Sequence, residues 1–332
     1  MMKKRMACML ALLMIGLVAI GCGGDKQEPQ TSAGPSPTQG DVARDPLNGS
    51  TEVHEYKPVI STIDNAEQAR PQEGIQAADI VYEMQVEGGM TRLMIVLNSE
   101  IPEQIGPVRS LRQYYAQVAQ EYDAVVSHVG GPHNGDVLDI YKYLEKNPIK
   151  VRVDGLYDSK RIYRVNERKK PHNAMLDTKA ALEKYDYTPT VRSFLFDPAY
   201  VPTDGDAAQV TIEFAANGYD VTYTYDAATG LYTRSQGGKE HKDALTKKAV
   251  TVKNIIVQKA KYTNYPGGQL ADVIGSGEVT VISNGKKTVG TWSKKSATEP
   301  TVFKDANGNE IPLQPGNTWI HIQPDNLSLT CE

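Results

Sequence analysis

Two runs of alternating residues on either side of Gly88-Gly89 constrain the fold more than any other stretch of this chain. Gly-Gly between apolar runs predicts a two-residue turn with positive φ, and therefore a β-hairpin in which Gln85 faces Arg92. Because side chains alternate between the two faces of a strand, one face should carry Glu83 and Glu87 beside Arg92. The other should be apolar and lie on a core. It consists of Ile80, Tyr82, Met84, Val86, Leu93, Ile95 and Leu97.

Arginines surround the predicted start of the helix that follows this hairpin. Ser110 and Gln113 have the spacing of a capping box, which predicts a helix that begins just after Ser110. Arg109 would then precede the helix and Arg112 would lie in its first turn, where unpaired backbone N–H groups already favour an anion. Two arginines at that end indicate a negative group opposite them, either a protein carboxylate or a ligand phosphate.

Residues 1–21 have the pattern of an export signal. Lys3, Lys4 and Arg5 precede an apolar run that ends in Ala19-Ile20-Gly21-Cys22. This ending resembles the lipobox of bacterial lipoproteins. By that resemblance residues 1–21 are a lipoprotein signal peptide, and Cys22 is the residue that receives the lipid, including palmitate. An ordinary secretory signal with an incidental cysteine is the alternative.

The stretch that follows, residues 22–46, is rich in Gly, Pro, Ser, Thr and Gln and has no aromatic residue, which predicts a flexible tether. Removal of residues 1–21 leaves 33 of the 36 Lys and Arg against 40 Asp and Glu, a net charge of −7. A chain this acidic is not expected to bind nucleic acid. Of the three cysteines only Cys22 and Cys331 remain, which excludes a disulfide framework.

The sequence texture changes near residue 190 and predicts two domains in a chain of the α+β class. Residues 47–190 contain strand-like and helix-like runs, typical of a mixed α/β-like domain. Residues 191–332 contain short strand-like runs separated by Asn-Gly, Ala-Thr-Gly and Pro-Gly-Gly turns, and no run that suits a helix of normal length. We therefore expect a β-rich C-terminal domain, an all-β sandwich or an open barrel.

The polar residues of the first domain indicate an anion-binding site. A basic stretch at residues 160–170 would widen its field, with a merely solvated surface as the alternative. No cysteine and no His-x-x-x-His pair supports a metal site, so neither a metal nor a cofactor is predicted. The candidate ligand-binding residues are Arg92, Arg109, Ser110, Arg112, His128, His133, His172 and Asn173.

Two other interpretations of these residues stay open. The first is a glycan-cleaving or glycan-phosphate-processing enzyme, with Glu83 and Glu87 as catalytic candidates beside Arg109 and Arg112. At ~3.3 Å per residue the two glutamates are roughly 13 Å apart along one strand, too far for a retaining pair, although an inverting mechanism remains open. The second is an internal ion-pair network in which the glutamates neutralise Arg92 and Arg109 and only fix the helix on the hairpin.

Several motifs past the tether carry a resemblance to a known family. They are Ala78–Glu83, Glu87–Arg92, Ile105–Ser110, Gly130-Gly131, Pro171–Asn173, Gly290–Trp292 and Gly316–Trp319. Together with the lipobox they resemble the YerB-like lipoproteins of Gram-positive bacteria. The resemblance implies a surface-anchored lipoprotein with two domains of unknown function, and it implies no reaction. A looser similarity to the LytR-CpsA-Psr enzymes, which handle lipid-linked glycan pyrophosphates, is an analogy from which no residue role follows.

These observations favour binding over catalysis, because the sequence shows a binding site without a complete set of reacting groups. We expect a lipoprotein of the cell envelope, held on the extracytoplasmic face of the cell membrane by the lipid on Cys22. Its expected partner is peptidoglycan, an anionic wall polymer or a cell-wall synthesis enzyme. Trp292 and Trp319 would anchor such a partner if exposed, although buried core is the more usual place for them.

Overall fold

A large β-sheet built by both halves of the chain dominates the structure. The computed structural model describes residues 42–133, 135 and 137–332. The signal peptide, Cys22 and nearly all of the tether therefore lie outside the described residues, which belong to one compact unit.

The strands are β1 (Val59–Ile63), β2 (Ile80–Gln85), β3 (Thr91–Leu97), β4 (Gln104–Ile105), β5 (Val125–His128), β6 (Val151–Asp154), β7 (Ile162–Arg164), β8 (Ala174–Asp177), β9 (Gln209–Ile212), β10 (Val221–Asp226), β11 (Leu231–Gln236), β12 (Lys239–Glu240), β13 (Thr251–Val252), β14 (Asn254–Ala260), β15 (Tyr262–Tyr265), β16 (Gly268–Ala271), β17 (Gly275–Ser283), β18 (Lys286–Lys294), β19 (Val302–Asp305), β20 (Thr318–Pro324) and β21 (Leu329–Cys331). The helices are α1 (Gln113–Ala119), α2 (Ile140–Lys146) and α3 (Thr178–Leu182), with 3-10 turns at Glu67–Ala69, Glu87–Gly89 and Gln120–Tyr122.

The large sheet has the strand order β19-β18-β17-β14-β20-β2-β3-β1-β5-β6. Five of these strands precede residue 190 and five follow it. The two sets meet at β20, which pairs in parallel with β14 on one side and with β2 on the other. The sheet therefore runs without a break across the expected domain boundary.

Each face of the large sheet is covered by a different layer. On one face, Tyr82, Met84 and Met94 pack with the apolar residues of α1 and α2 in one core. On the other face, Val81 and Trp319 share a core with the smaller sheet, which has the order β12-β11-β10-β9-β21 with β13 paired to β11. The hairpin is thus buried on both faces, which the alternating sequence pattern did not predict.

The protein is mostly β with a few short helices, and the described residues 191–332 contain no helix. They form no separate sandwich or barrel, because five of their strands extend the large sheet and six form the smaller one. Trp292 and Trp319 are both buried. In the part of the chain that the structure describes, no helix has the length and apolar character needed to cross a bilayer.

Candidate functional site

The hairpin register expected from a two-residue turn is wrong by one residue. Glu87–Gly89 forms a 3-10 turn, so the loop has three residues and Met84, not Gln85, faces Arg92. Because alternate residues point to opposite faces, a shift of one residue turns all of β3 over. Leu93 therefore lies beside Glu83, and Arg92 lies on the opposite face of the sheet.

The helix after the hairpin also begins later than expected. α1 starts at Gln113 with Arg112 as its N-cap residue, and Ser110 makes no capping hydrogen bond. The preceding backbone is held extended by its neighbours, since the N–H of Arg109 donates to Thr62 and the N–H of Leu111 donates to the Gly130 carbonyl. With seven residues, α1 is too short for its dipole to supply the anion site that we expected.

Arg112 and Glu87 form a bidentate pair beside the hairpin loop. Nε and Nη2 of Arg112 lie 2.6 and 2.7 Å from the two carboxylate oxygens of Glu87. Burial alone would raise the pKa of Glu87, but the hydrogen bonds and charge of Arg112 lower it below its usual value of 4.5. Glu87 is therefore held ionised, the opposite of what a general acid for glycan cleavage requires.

Arg92 is a buried arginine without a carboxylate partner. Its Nη1 donates to the carbonyl of Ser110 at 2.8 Å, and no carboxylate of the described residues lies within ion-pair distance of it. Burial, followed by the neighbouring charge of Arg112, lowers the pKa of Arg92 to about 10, and Arg109 acts in the same direction. The three guanidinium groups are thus close enough to repel one another.

Arg109 is joined to His172 through Asp64. Nδ1 of His172 lies 2.7 Å from Oδ2 of Asp64, and Nε of Arg109 lies 3.1 Å from the same oxygen without the alignment of a hydrogen bond. The Arg109 side chain is 29% exposed, whereas Asp64 is nearly buried. Asp64 therefore holds two cationic or potentially cationic groups toward solvent.

His172 also lines an open cleft of about 800 Å³. Arg168 is fixed in this cleft by the carbonyls of Ala69 and Pro71 and lies 3.5 Å from Glu73. The remaining lining residues are Gln68, Glu167, Lys169 and Lys170. Lys169 and Lys170 are exposed, so part of the basic stretch lies beside the group around Arg109.

Glu83 lies apart from these arginines, in the core between the two sheets. Its Oε2 accepts from Nη2 of Arg234 at 2.7 Å, and Oε1 accepts from Thr91 and Asn65. Nδ1 of His321 lies 3.3 Å from Oε2, and all of this is inaccessible to solvent. Burial alone would raise the pKa of Glu83, but Arg234, His321 and Thr91 lower it well below 4.5. Glu83 is therefore buried and ionised, with no contact to a surface cleft.

The other predicted ligand residues make local contacts. His128 is buried and its Nδ1 bonds the Gly130 carbonyl at 2.8 Å; burial lowers its pKa, which keeps it neutral. His133 is 72% exposed and pairs with Asp139, the N-cap residue of α2. Asn173 orders its turn through Arg164 and the Val165 carbonyl. Among the described residues no group of His, Cys, Asp or Glu is suited to hold a metal ion.

The structure therefore brings together Glu87, Arg92, Arg109, Ser110, Arg112 and His172, and it separates them from Glu83. Sequence reasoning missed Asp64, although an acidic residue directly after a buried strand is a usable signal. It also missed Arg234 and His321, which lie in the β-rich half. Arg234 is 151 positions from Glu83, and no local pattern connects them.

Two models of one family match most of the chain. Residues 47–190 match the model described as "Protein of unknown function (DUF3048) N-terminal domain". Residues 210–320 match the corresponding C-terminal domain model.

Similarity to a named protein covers nearly the full length. The chain is 29% identical over 337 residues to "Putative lipoprotein YerB" of Bacillus subtilis (strain 168), covering 98% of this chain and 96% of that protein. The crystal structure of YerB from Bacillus subtilis matches the present fold with a TM-score of 0.73 and 29% identity, covering 87% of this chain and 99% of that one.

Proposed function

Because this chain belongs to the DUF3048 family of proteins of unknown function, we propose that it is a lipoprotein anchored through Cys22 on the extracytoplasmic face of the cell membrane. The relationship to "Putative lipoprotein YerB" supports this assignment. The lipobox-like Ala19–Cys22 and the polar stretch up to residue 46 support it independently. Replacement of Cys22 by serine should abolish the incorporation of labelled palmitate into the protein. Undiminished labelling contradicts a lipid anchor at this residue.

At the membrane the protein binds an anionic polymer of the cell envelope. The observation that carries this proposal is a surplus of guanidinium groups on one side of the hairpin. Among the described residues, the carboxylates that Arg92, Arg109 and Arg112 face are those of Asp64 and Glu87. Arg92 is the uncompensated member, and its pKa is lowered first by burial and then by the charge of Arg112. A phosphate or carboxylate placed against these groups would relieve the repulsion among them.

The adjoining cleft extends the positive field along a path longer than one anionic group. It carries Arg168, Lys169 and Lys170 against Glu73 and Glu167, so it too has one positive charge more than its acids neutralise. His172 borders the cleft and contacts Asp64, which links the cleft to Arg109. A linear polymer with charges at regular intervals fits such an arrangement better than a single small anion.

No specific observation favours the glycan-cleaving or glycan-phosphate-processing alternative. Glu83 is buried in an ion pair and Glu87 is held by Arg112, so neither is placed as a free general acid. An envelope enzyme as the partner likewise gains no support from any particular surface. Binding of an anionic polymer therefore remains the proposal.

The test is a binding measurement with two polymers of similar length, poly(glycerol phosphate) and an uncharged glycan. We expect the purified full chain in detergent to bind the charged polymer and to ignore the neutral one. Added salt should weaken this binding, because exposed charges are screened. Arg109→Gln should weaken it by about tenfold, the usual value of one charge-assisted hydrogen bond. Lys169→Gln together with Lys170→Gln should weaken it further.

Lys286→Gln is the matched control, since it removes one exposed positive charge from β18 in the other half of the chain. Circular dichroism of each variant confirms that the fold is retained. Equal binding by wild type, Arg109→Gln and the double lysine variant rules out the proposed site. An equal loss in Lys286→Gln shows that only the net charge matters.

A further inference from the structure

A second, smaller cavity lies beside the 67–71 segment and shares Pro71 with the basic cleft. It has a volume of about 300 Å³, at the lower end of the range for small-molecule sites. Glu67, Arg70 and Pro71 form one wall. The other wall is formed by the last residue of β11, by β12 and by the two residues after it. Its lining residues are Gln236, Lys239, Glu240, His241 and Lys242.

Gln236 brings an unused hydrogen-bond donor to this cavity. Its Oε1 accepts from Nδ2 of Asn65 at 3.1 Å and from both Nη atoms of Arg234 at 3.3 Å. Because these donors converge on the oxygen, the orientation of the amide is determined and Nε2 points away from them. Gln236 is only 1% exposed, and its Nε2 is buried without a hydrogen-bond partner in the described part of the chain. A ligand oxygen at the cavity wall would accept the hydrogen bond that Nε2 does not make within the protein.

Arg70 brings an uncompensated cation to the same cavity. Its Nε donates to the Asn65 carbonyl at 3.2 Å, and its guanidinium lies 5.5 Å from the centre of the Tyr219 ring. Within the described ranges no carboxylate lies within 4 Å of it. The two lysines of the cavity differ in this respect, because each already has a glutamate partner. These pairs are Lys239 with Glu67 at 2.6 Å and Lys242 with Glu240 at 3.3 Å.

His241 does not compete with Arg70 and Gln236 for a ligand, because the protein already engages its ring. Its Nδ1 accepts from Nη1 of Arg234, and its Nε2 lies 2.7 Å from Oε1 of Gln72. Both ring nitrogens are therefore occupied by the protein. The groups of the cavity that remain available to a ligand are the guanidinium of Arg70 and the amide N–H groups of Gln236.

We propose that this cavity binds a small oxyanion, the carboxylate or phosphate group of a small molecule, between Arg70 and Gln236. A guanidinium offers two parallel N–H groups to such an anion, and the amide adds a third donor from the opposite wall. The volume is sufficient for one such group. This site is separate from the arginine group around Arg109, so it does not depend on the proposed function.

The test is isothermal titration calorimetry of the full chain with sodium phosphate and with sodium acetate, each at constant ionic strength. We expect saturable binding of at least one of the two probes. Arg70→Gln should raise its dissociation constant by about tenfold or more, since a charge-assisted contact is lost. Gln236→Glu keeps an oxygen for Arg234 and Asn65 but replaces the free donor by a negative acceptor. It should abolish binding while the fold, followed by circular dichroism, is retained.

The matched control is Glu67→Gln together with Lys239→Gln, which removes from the same rim a pair whose two charges cancel. It should change the dissociation constant less than twofold. Arg70→Gln should leave the binding of poly(glycerol phosphate) unchanged, which separates this site from the polymer site. Absence of saturable binding overturns the proposal, and so does an equal loss in Arg70→Gln and the control.

Discussion

Replacement of Glu83 by glutamine tests whether one buried ion pair stabilises the contact between the two sheets. Oε2 of Glu83 and Nη2 of Arg234 lie 2.7 Å apart, and both side chains are completely buried. At an effective dielectric constant of about 20, two unit charges at this distance attract each other by roughly 6 kcal/mol. Glutamine keeps an oxygen for Thr91 and Asn65, so part of the interaction survives. We expect the free energy of unfolding to fall by about 3–5 kcal/mol, the usual cost of isolating one charge of a buried pair.

The same variant should alter the pH dependence of stability. The interactions of Glu83 with Arg234, His321 and Thr91 outweigh burial and lower its pKa well below 4.5 in the folded protein. The unfolded chain therefore binds this proton at a higher pH than the folded chain does. The stabilisation by Glu83 is complete above about pH 4.5 and is lost as the pH falls toward the folded pKa. Glu83→Gln has no proton to bind there, so its stability should decline less between about pH 5 and about pH 3.

Urea unfolding of the full chain, followed by tryptophan fluorescence, measures both effects. Trp319 is a suitable reporter because its ring lies 4.6 Å from the Arg234 guanidinium. Glu67→Gln is the control, since it breaks an exposed pair and should leave the midpoint unchanged within error. Replacing Glu83 and Arg234 together by methionine should recover most of the loss, because no unpaired charge remains. The reasoning is refuted if Glu83→Gln unfolds at the wild-type urea concentration, or if the double variant is no more stable than the single one.

Three further outcomes follow from other parts of the structure. Gly89→Ala should lower the melting temperature more than Gly88→Ala: both positions have positive φ, but a Cβ at Gly89 meets backbone at 2.9 Å, whereas one at Gly88 meets nothing within 4 Å. Similar melting temperatures contradict this. Lys294→Met should lower the free energy of unfolding by about 3 kcal/mol in the urea assay, because Glu121 loses a buried partner at 2.5 Å. An unchanged midpoint shows that Arg192 alone is enough to stabilise the buried carboxylate of Glu121. Burial raises the pKa of the Cys331 thiol, so its alkylation by iodoacetamide, mapped by mass spectrometry, should be much slower in the native chain than in urea. Equal rates contradict a protected thiol.

Local sequence patterns predicted the strands and turns whose formation depends on neighbouring residues along the chain. In residues 191–332, all of which the structure describes, short strands alternate with turns and no helix forms, as the turn-separated runs predicted. The predicted register of the hairpin was wrong because Gly-Gly is compatible with both a two-residue and a three-residue loop. That single residue moved Arg92 to the other face of the sheet and away from Glu83.

The polar contacts that define the candidate site lay beyond such patterns. Ser110 has the spacing of a capping box, but its flanking N–H groups are taken by Thr62 and Gly130, which a sequence cannot pair with it. The ion pairs of Glu83 with Arg234 and of Glu121 with Lys294 join residues 151 and 173 positions apart. Burial of complementary charges at such separations depends on how the smaller sheet and the helical layer pack on the large sheet, and no periodicity in the sequence encodes it.

The position of β20 has a consequence for how a chain that is synthesised from its N-terminus can fold. The backbone N–H and C=O groups along one edge of β2 and one edge of β14 are paired by the backbone of Thr318–Pro324. Until this stretch has emerged, the central part of the large sheet keeps two open edges, which are prone to pair with other chains. β20 is the last strand of the large sheet in chain order, and it closes both of these edges. Removal of residues 318–332 should leave both family domains incomplete, however much of their own sequence remains.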